Sequence, residues 1–443
     1  MPGGKTSVGV PDYKCGKWLS LPLPATSVPW PYDAGGSKHK QQLLSRGVAK
    51  SVQRALRQSP WRWPRRPVYF IADPHADTDA FSASLLSTGG VRRTGKAAED
   101  FKLTAAGRRA TFVIGGDCLD KGPSNLRLLR TVGLLRDRGA RLKLLAGNHD
   151  IRLWLGMRAF SLPRDPRTEH FFVRMGPKVI PLLGEIRDHY FEGSPPGVRV
   201  PGEKACRRAL YPSRHWFDEF PRVAGWLMPE AAVQRELLRM RHKVDVFESA
   251  CREAGMTLRD VYATAQKCCE LFLEPGGEFA WFFRDMQLAY RAGSFLFIHA
   301  GLDDRVATMI GEHGVGHLNR LYRKQVRDDL FEFYYGPLAN TMRTKYRPVD
   351  MPLSRRGVEA AHRRGLHAVV HGHRNRTVGQ RIMLRKGMIH IESDTTLDRN
   401  SRRKEGLKGY GAASTIIDPD GFVSGVSVDY PRVKVFEPAS LVD

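Results

Sequence analysis

Five short stretches of this chain set oxygen and nitrogen donors directly after apolar runs: Asp73-Pro74-His75, Asp117 with Asp120, Asn148-His149-Asp150, His299, and His373. Two divalent cations held about 3.5–4 Å apart need a shared carboxylate with oxygen and imidazole ligands on either side. The inventory matches that need. Asp73 and His75 serve one ion, Asp117 bridges, and Asn148, His299 and His373 serve the other. The set uses no thiolate, so Mn, Fe or Zn in a reactive site is favoured over a structural zinc. Such a pair lowers the pKa of a water and neutralises phosphoryl oxygens, which points to hydrolysis of a phosphoester. A departing alkoxide needs a proton. His149, beside ligand Asn148, is placed to face the leaving group, and Asp120, three residues after the bridge, to orient that imidazole and raise its pKa. Lys121 and Arg152 are the nearby cations for the phosphate.

Singly, these residues have ordinary explanations. An Asp-x-His commonly forms a turn or cap, a lone buried His commonly fills a core, and Asp117 and Asp120 could be helix N-terminal carboxylates beside Pro123. Together they carry more weight, because five strand ends deliver the same kinds of donor in one chain.

The elements that must position them are legible around residues 112–150. An apolar run, Thr111 to Ile114, breaks on Gly115-Gly116 before Asp117. Leu128, Leu129, Val132 and Leu135 then follow a helical period, with Pro123 near the start and Gly139 past the end. A second run, Leu142 to Ala146, breaks on Gly147 before Asn148. This strand–helix–strand unit discharges donors at the C-terminal ends of its strands, where ligands collect in α/β sheets. Further strands are predicted at 67–72, 295–298, 368–370 and 387–392, with a hairpin of 412–417 and 422–428 turned at Asp418-Pro419-Asp420-Gly421. Helices are predicted at 38–58 and 76–90, and 91–110 reads as a basic connection.

Between Asp150 and Ser294 strand signals are few. Val233, Leu237, Met240, Val244, Phe247 and Cys251 make one apolar stripe of a helix that Gly255 ends. Thr257 with Asp260 forms a capping box for the next helix, and an aromatic-rich helix is predicted over 278–292. We read this segment as a helical cap or lid.

The 443 residues exceed the size at which one core usually stops growing, so either one elaborated domain or two fits. The net charge of +25, from 71 Lys+Arg against 46 Asp+Glu, suits an anionic partner. Because that charge is spread along the chain, a solvated basic surface explains it equally well. Residues 61–66 (WRWPRR) interleave aromatics and arginines, either a nucleic-acid contact or a tether packed on the surface. The six scattered cysteines form no CxxC pair, and Cys268-Cys269 read as packing residues in a reducing cytoplasm. No apolar run of membrane-spanning length is present, and residues 1–37, rich in Pro and Gly, read as a mobile arm without a secretory h-region.

At these residues the chain resembles the calcineurin-like metallophosphoesterase superfamily, and more closely its phosphoprotein-phosphatase branch with the bacterial diadenosine tetraphosphatases. The carrying motifs are Asp73-Pro74-His75, Gly116-Asp117-Cys118-Leu119-Asp120-Lys121-Gly122, Gly147-Asn148-His149-Asp150, His299-Ala300-Gly301-Leu302 and Gly372-His373. The resemblance implies an α/β fold, a four-layer α/β/β/α sandwich with a large helical insertion. It also implies two metal ions at the sandwich edge and direct water attack with His149 as general acid. Three departures stand out: Lys121 in place of an Arg, Asn375 in place of a second His, and Ala76 in place of a Gly.

The expected organisation is an N-terminal arm and helix over 1–60, core over 61–155, helical insert over 156–293, and core again over 294–443. The expected function is a metal-dependent phosphomonoesterase acting on a phosphoprotein, nucleotide or other phosphate ester. The runner-up is a dinucleoside polyphosphate hydrolase or nucleic-acid phosphodiesterase, and a third possibility is a binding module that keeps its metal site as scaffold.

Overall fold

The computed structural model describes residues 8–14, 22–31, 38–191 and 200–441. Its strands in chain order are β1 (Ser27–Pro29), β2 (Val68–Ile71), β3 (Val91–Arg93), β4 (Phe101–Leu103) and β5 (Thr111–Ile114). They continue with β6 (Arg141–Leu145), β7 (Met286–Gln287), β8 (Ala289–Ala292), β9 (Phe295–Ile298) and β10 (Ala368–His371). The last are β11 (Arg381–Arg385), β12 (Met388–Glu392), β13 (Ala413–Ile417), β14 (Val423–Ser427) and β15 (Val433–Phe436).

Two sheets are built from them. One runs β1-β15-β14-β13-β2-β5-β6-β7 and the other β11-β12-β10-β9-β8. In the first, β2, β5, β6 and β7 are mutually parallel, and in the second, β9, β10 and β12. The parallel strands VYFI, TFVI and FLFI are buried along their whole length, as strands covered on both faces must be.

Alternation along these strands divides the core in two. Val68, Phe70 and Val113 point inward to meet Phe295, Phe297, Val370 and Ile391 of the facing sheet, and the Phe70 and Phe297 rings lie 5.8 Å apart. Tyr69, Ile71, Phe112 and Ile114 point outward and pack with Leu85, Leu128, Leu129 and Val132 of helices Thr78–Ser87 and Asn125–Asp137. On the other side Leu296, Ile298 and Val369 join Val306, Ile310, Val358 and Ala361 of helices Asp304–His313 and Arg355–Arg363. The layers are therefore α/β/β/α.

The helix predicted over 38–58 is Lys38–Gln58. The long striped helix is Glu230–Glu253, and Thr257 and Asp260 close a capping box on Leu258–Leu273.

Three expectations are corrected. The helix expected over 278–292 ends at Arg284, because residues beyond it are claimed by both sheets: β7 pairs with β6 and β8 with β9. The alternation of Ala289 and Ala292 with Tyr290 and Arg291 fits that pairing. The connection over 91–110 contains the antiparallel pair β3–β4 and a short helix, Ala105–Arg109, capped by Thr104. The arm over 1–37 is partly structural. Its β1 lies parallel to β15, Trp30 N–H donates to the Val435 carbonyl at 2.7 Å, and the Trp30 ring is buried in the inter-sheet core. A proline at the end of an edge strand removes no needed donor. Residues 1–7, 15–21 and 32–37 of that arm lie outside the described residues.

The residues 61–66 are a packed tether. Trp61 and Trp63 sit on Phe295, with ring centroids at 5.5 and 5.2 Å, and Trp61 also meets His367. No helix among the described residues is long and apolar enough to cross a membrane.

Candidate metal centre

The C-terminal ends of β2, β5, β6, β9 and β10 meet on one rim, and the donors read from the sequence follow those ends. Two groups converge there: His75, Asp117 and His149, and Asp117, His299 and His373. Within each group one ligand atom per residue lies within 4.8 Å of the others. Asp117 is common to both. Its Oδ2 lies 3.8 Å from His75 Nε2, 3.9 Å from His149 Nε2 and 3.5 Å from His299 Nε2.

The backbone is bent to bring this about. Of the non-glycine described residues with positive φ, six are candidate site residues: Asp73 (46°), His75 (42°), Asp117 (53°), Asp120 (68°), Lys121 (70°) and His373 (64°). Left-handed backbone at residues with side chains costs on the order of 1–3 kcal/mol each and persists where the surroundings dictate it. Gly116, at φ 88°, runs so close to the next strand end that a Cβ there would lie 2.7 Å from Gly147 Cα. Only glycine meets both demands.

Each side chain is oriented by a second contact. His75 Nδ1 pairs with the Leu119 carbonyl at 3.1 Å and His299 Nδ1 with that of Gly115 at 2.7 Å, which frees both Nε2 atoms toward Asp117. Asp73 accepts from the His373 N–H through both oxygens at 3.1 Å. Asp117 Oδ1 accepts the His149 N–H at 2.8 Å, placing a carboxylate at the N-terminus of helix Asn148–Ser161. His149 Nδ1 and Asp120 Oδ2 are 2.7 Å apart. Lys121 Nζ lies 2.7 Å from His75 Nε2. Arg152 stands one turn into the same helix as His149, half-buried.

The Asn148 carboxamide speaks to whether a cation fits. With its oxygen outward it lies 3.3 Å from His299 Nε2; with nitrogen outward it donates to His373 Nδ1 at 2.9 Å and to the Met342 carbonyl at 3.3 Å. An oxygen and two imidazole nitrogens pointing at one space, beside a carboxylate, are a donor set for a divalent ion. The buried His373 Nε2 has no hydrogen-bond partner. His371, one residue before Gly372, is turned away: its Nε2 pairs with His390 Nδ1 at 3.2 Å and its Nδ1 with the Gly372 carbonyl.

The electrostatics follow from burial plus close charge. Burial opposes the Asp117 charge, but His299 and His149 outweigh it and hold that carboxyl well below the usual range. Asp73 is driven well above it by burial and by the charge of Asp394. Burial, then Lys121, pushes His75 down to about 3, whereas Asp117 and Asp73 lift His299 to about 10 against its burial. Burial raises Asp120 to about 7 and depresses its partner His149.

Three residues, Asp150 of the Gly147-Asn148-His149-Asp150 motif among them, have supporting roles that the sequence reading did not assign. Asp150 accepts from Leu119 N–H at 3.1 Å and Gly147 N–H at 3.3 Å, tying two donor loops together; its place at the third position of a helix after Gly147 was the available signal. Glu185, on helix Ile180–Tyr190, accepts from Ser124 Oγ, from Asn125 N–H and Nδ2, and from Leu126 N–H. Asn125 Oδ1 in turn accepts the Asp120 N–H at 2.8 Å, so this helix steadies the Asp120 loop. Glu392 pairs with three arginines behind the rim. Neither glutamate has a local sequence signature.

Residues 66–224 match the family model described as calcineurin-like phosphoesterase. No curated protein matches the chain. One similar solved structure is a cold-active protein tyrosine phosphatase, 14% identical, covering 84% of this chain and 78% of that one with a TM-score of 0.43. Another is the cold-active protein-tyrosine phosphatase of a psychrophilic Shewanella species, 13% identical over 84% and 80% of the two chains, TM-score 0.43. A third is a protein serine/threonine phosphatase from Saccharomyces cerevisiae with similarity to human phosphatase PP5, 11% identical over 89% and 90%, TM-score 0.38.

Proposed function

We propose that the protein is a phosphomonoesterase whose site holds two divalent ions, with Asp73, His75, Asp117, Asn148, His299 and His373 as ligands. The observation that carries this reading is the sharing of Asp117 between two three-residue donor groups, with the His149–Asp120 pair alongside. When bound, a pair of ions such as Mn, Fe or Zn supplies charge neutralisation at the phosphoryl oxygens and a water of lowered pKa.

The chain's own residues do the rest. Asp120, ionised, accepts the Nδ1 proton of His149 and leaves Nε2 facing the space beside Asp117. His149 Nε2 then delivers a proton to the departing oxygen. Burial makes the imidazolium a stronger acid, and Asp120 keeps it available. Lys121 and Arg152 hold the phosphate. Lys121 presents a point charge where an arginine would present a fork, so orientation of the phosphate rests more on Arg152. Residues 61–155 and 286–443 form the reacting core, β1 of the N-terminal arm adds an edge strand to it, and 156–284 serve as a cap joined to the site through Glu185.

The test is hydrolysis of p-nitrophenyl phosphate and of its bis-ester with added divalent metal. The monoester is cleaved and the bis-ester is not; the reverse pattern overturns the monoesterase reading. Asp117→Asn loses metal and turnover together, whereas His149→Asn keeps metal and loses turnover by roughly 10²–10⁴-fold. Equal metal content in wild type and Asp117→Asn removes the bridge.

A further inference from the structure

Helices Lys38–Gln58 and Arg355–Arg363 pack side by side, and their charge is almost all of one sign. The first has no acidic residue along its 21 residues, and Glu359 is the one acid of the second. Glu437 precedes the turn Pro438–Leu441, which packs on the first helix. Arg46, Lys50 and Arg57 stand exposed at i, i+4 and i+11, one stripe along that helix, with half-buried Arg54 beside it. At about 1.5 Å of rise per residue the stripe is about 16 Å long. The two helices end at one corner. There His367 Nε2 pairs with the Ser59 carbonyl at 2.9 Å, Arg291 donates to the Gly293 carbonyl at 2.9 Å and the Gly365 carbonyl at 3.5 Å, and Arg62 N–H donates to Ser294 Oγ at 2.9 Å. Arg57, Arg62, Arg363 and Arg364 stand exposed around it.

Among the described residues no carboxylate oxygen comes within 4.0 Å of any of these cations. By contrast, Arg127 pairs with Glu99 at 2.5 Å and Arg207 with Glu248 at 2.6 Å. Burial, then the like charges of Arg364 and Arg62, holds the Arg291 guanidinium below its usual range. A cation in the last turn of a helix offsets the helix dipole, which accounts for Arg57, Arg363 and Arg364 but not for Arg46, Lys50 or Arg62. The corner lies where β9 and β10 begin, whereas His299 and His373 follow their other ends, so roughly 16 Å of strand separates Ser294 from His299. Phosphates along one strand of a duplex recur about every 3.4 Å of axis, so the stripe spans about five of them. Guanidinium forks suit phosphate oxygens. Unpaired strands are held instead by bases stacked on exposed rings. Trp61 and Trp63 are already packed on Phe295, and the exposed Trp226 and Tyr410 belong to other elements.

We propose that Arg46, Lys50, Arg57, Arg62, Arg363 and Arg364 form a docking face for duplex nucleic acid, held through its phosphate backbone without regard to sequence and away from the metal rim. This binding does not depend on the phosphoesterase reading.

The experiment follows the fluorescence anisotropy of a labelled DNA duplex of about 20 base pairs titrated with the full chain between about 50 and 200 mM salt. Wild type binds it, and the variant Arg46→Gln/Lys50→Gln/Arg57→Gln/Arg363→Gln binds at least tenfold more weakly, with a log–log salt slope shallower by about 3. Should that variant unfold by circular dichroism, Lys50→Gln/Arg57→Gln flattens the slope by about 2. The control Arg222→Gln/Arg235→Gln/Arg239→Gln/Arg241→Gln removes the same charge from the cap and keeps affinity within about twofold. An equal loss in both quadruple variants shows that total charge binds, and overturns the face. So do an absence of duplex binding in wild type, tighter binding of the unpaired strand, and binding of phosphatidylserine vesicles in place of the duplex. Hydrolysis of p-nitrophenyl phosphate stays the same in every variant. Its absence in wild type refutes the proposed reaction and leaves the binding comparison standing.

Discussion

Replacing Glu392 with Gln tests whether the rim that carries His373 is held by charge. Glu392 is fully buried at the end of β12, opposite His371, and takes Arg374 at 3.1 Å, Arg381 at 2.6 Å and Arg385 at 2.5 Å. Burial alone raises a carboxyl, yet His371, Arg381 and Arg374 hold this one down to about 2. Relative to an ordinary value of 4.5, that depression corresponds to roughly 3 kcal/mol of folding stability at neutral pH. Removing one partner of a buried ion pair costs about 3–5 kcal/mol, so the two routes agree. For a chain of this size a loss of about 3 kcal/mol moves the urea midpoint by about 1 M or less. The sign with pH is definite. A carboxyl depressed in the folded state contributes above its unfolded value and loses that contribution as pH falls through about 2. The gap between wild type and Glu392→Gln is therefore full at pH 7 and narrows below pH 4.5. Urea unfolding at pH 7, 5 and 3.5, followed by circular dichroism, reads it. A cost under about 1 kcal/mol at pH 7, or a gap that widens on acidification, refutes the reasoning.

Two further outcomes follow from the site. Asp120→Asn keeps bound metal by elemental analysis and lowers kcat by roughly tenfold to a hundredfold, because the amide accepts from His149 Nδ1 without stabilising the imidazolium; an unchanged kcat removes Asp120 from the proton path. Gly372→Ala places a Cβ 1.9 Å from Asp73 Oδ1. It should displace Asp73 or His373, cost about 1–3 kcal/mol by thermal denaturation and reduce bound metal, while full occupancy would show that the loop yields without consequence.

Much of the rim was legible because its signals are local. An apolar run that stops on Gly115-Gly116 or Gly147 and then yields Asp or Asn states both a strand and its end within a few residues. The helix cap at Thr257 was equally local, and its side chain accepts the Asp260 N–H. The tether over 61–66 was less decidable, since Trp61 has the same composition whether it stacks on a base or on Phe295.

What the sequence determined by itself was therefore the order of strand ends and the chemical kinds of donor at each. Tertiary structure decided which atoms face one another: that Asp117 sits between two histidine pairs, that His371 turns to His390 and not to the site, and that residues 286–292 pair as strands although their composition also suits a helix. It also decided that Glu185, far along the chain, arrives beside Asn125 and through it steadies the Asp120 loop. The physical reason is range. Backbone preference and hydrophobic period act over a few residues, whereas a buried carboxylate takes its meaning from charges that only folding brings near.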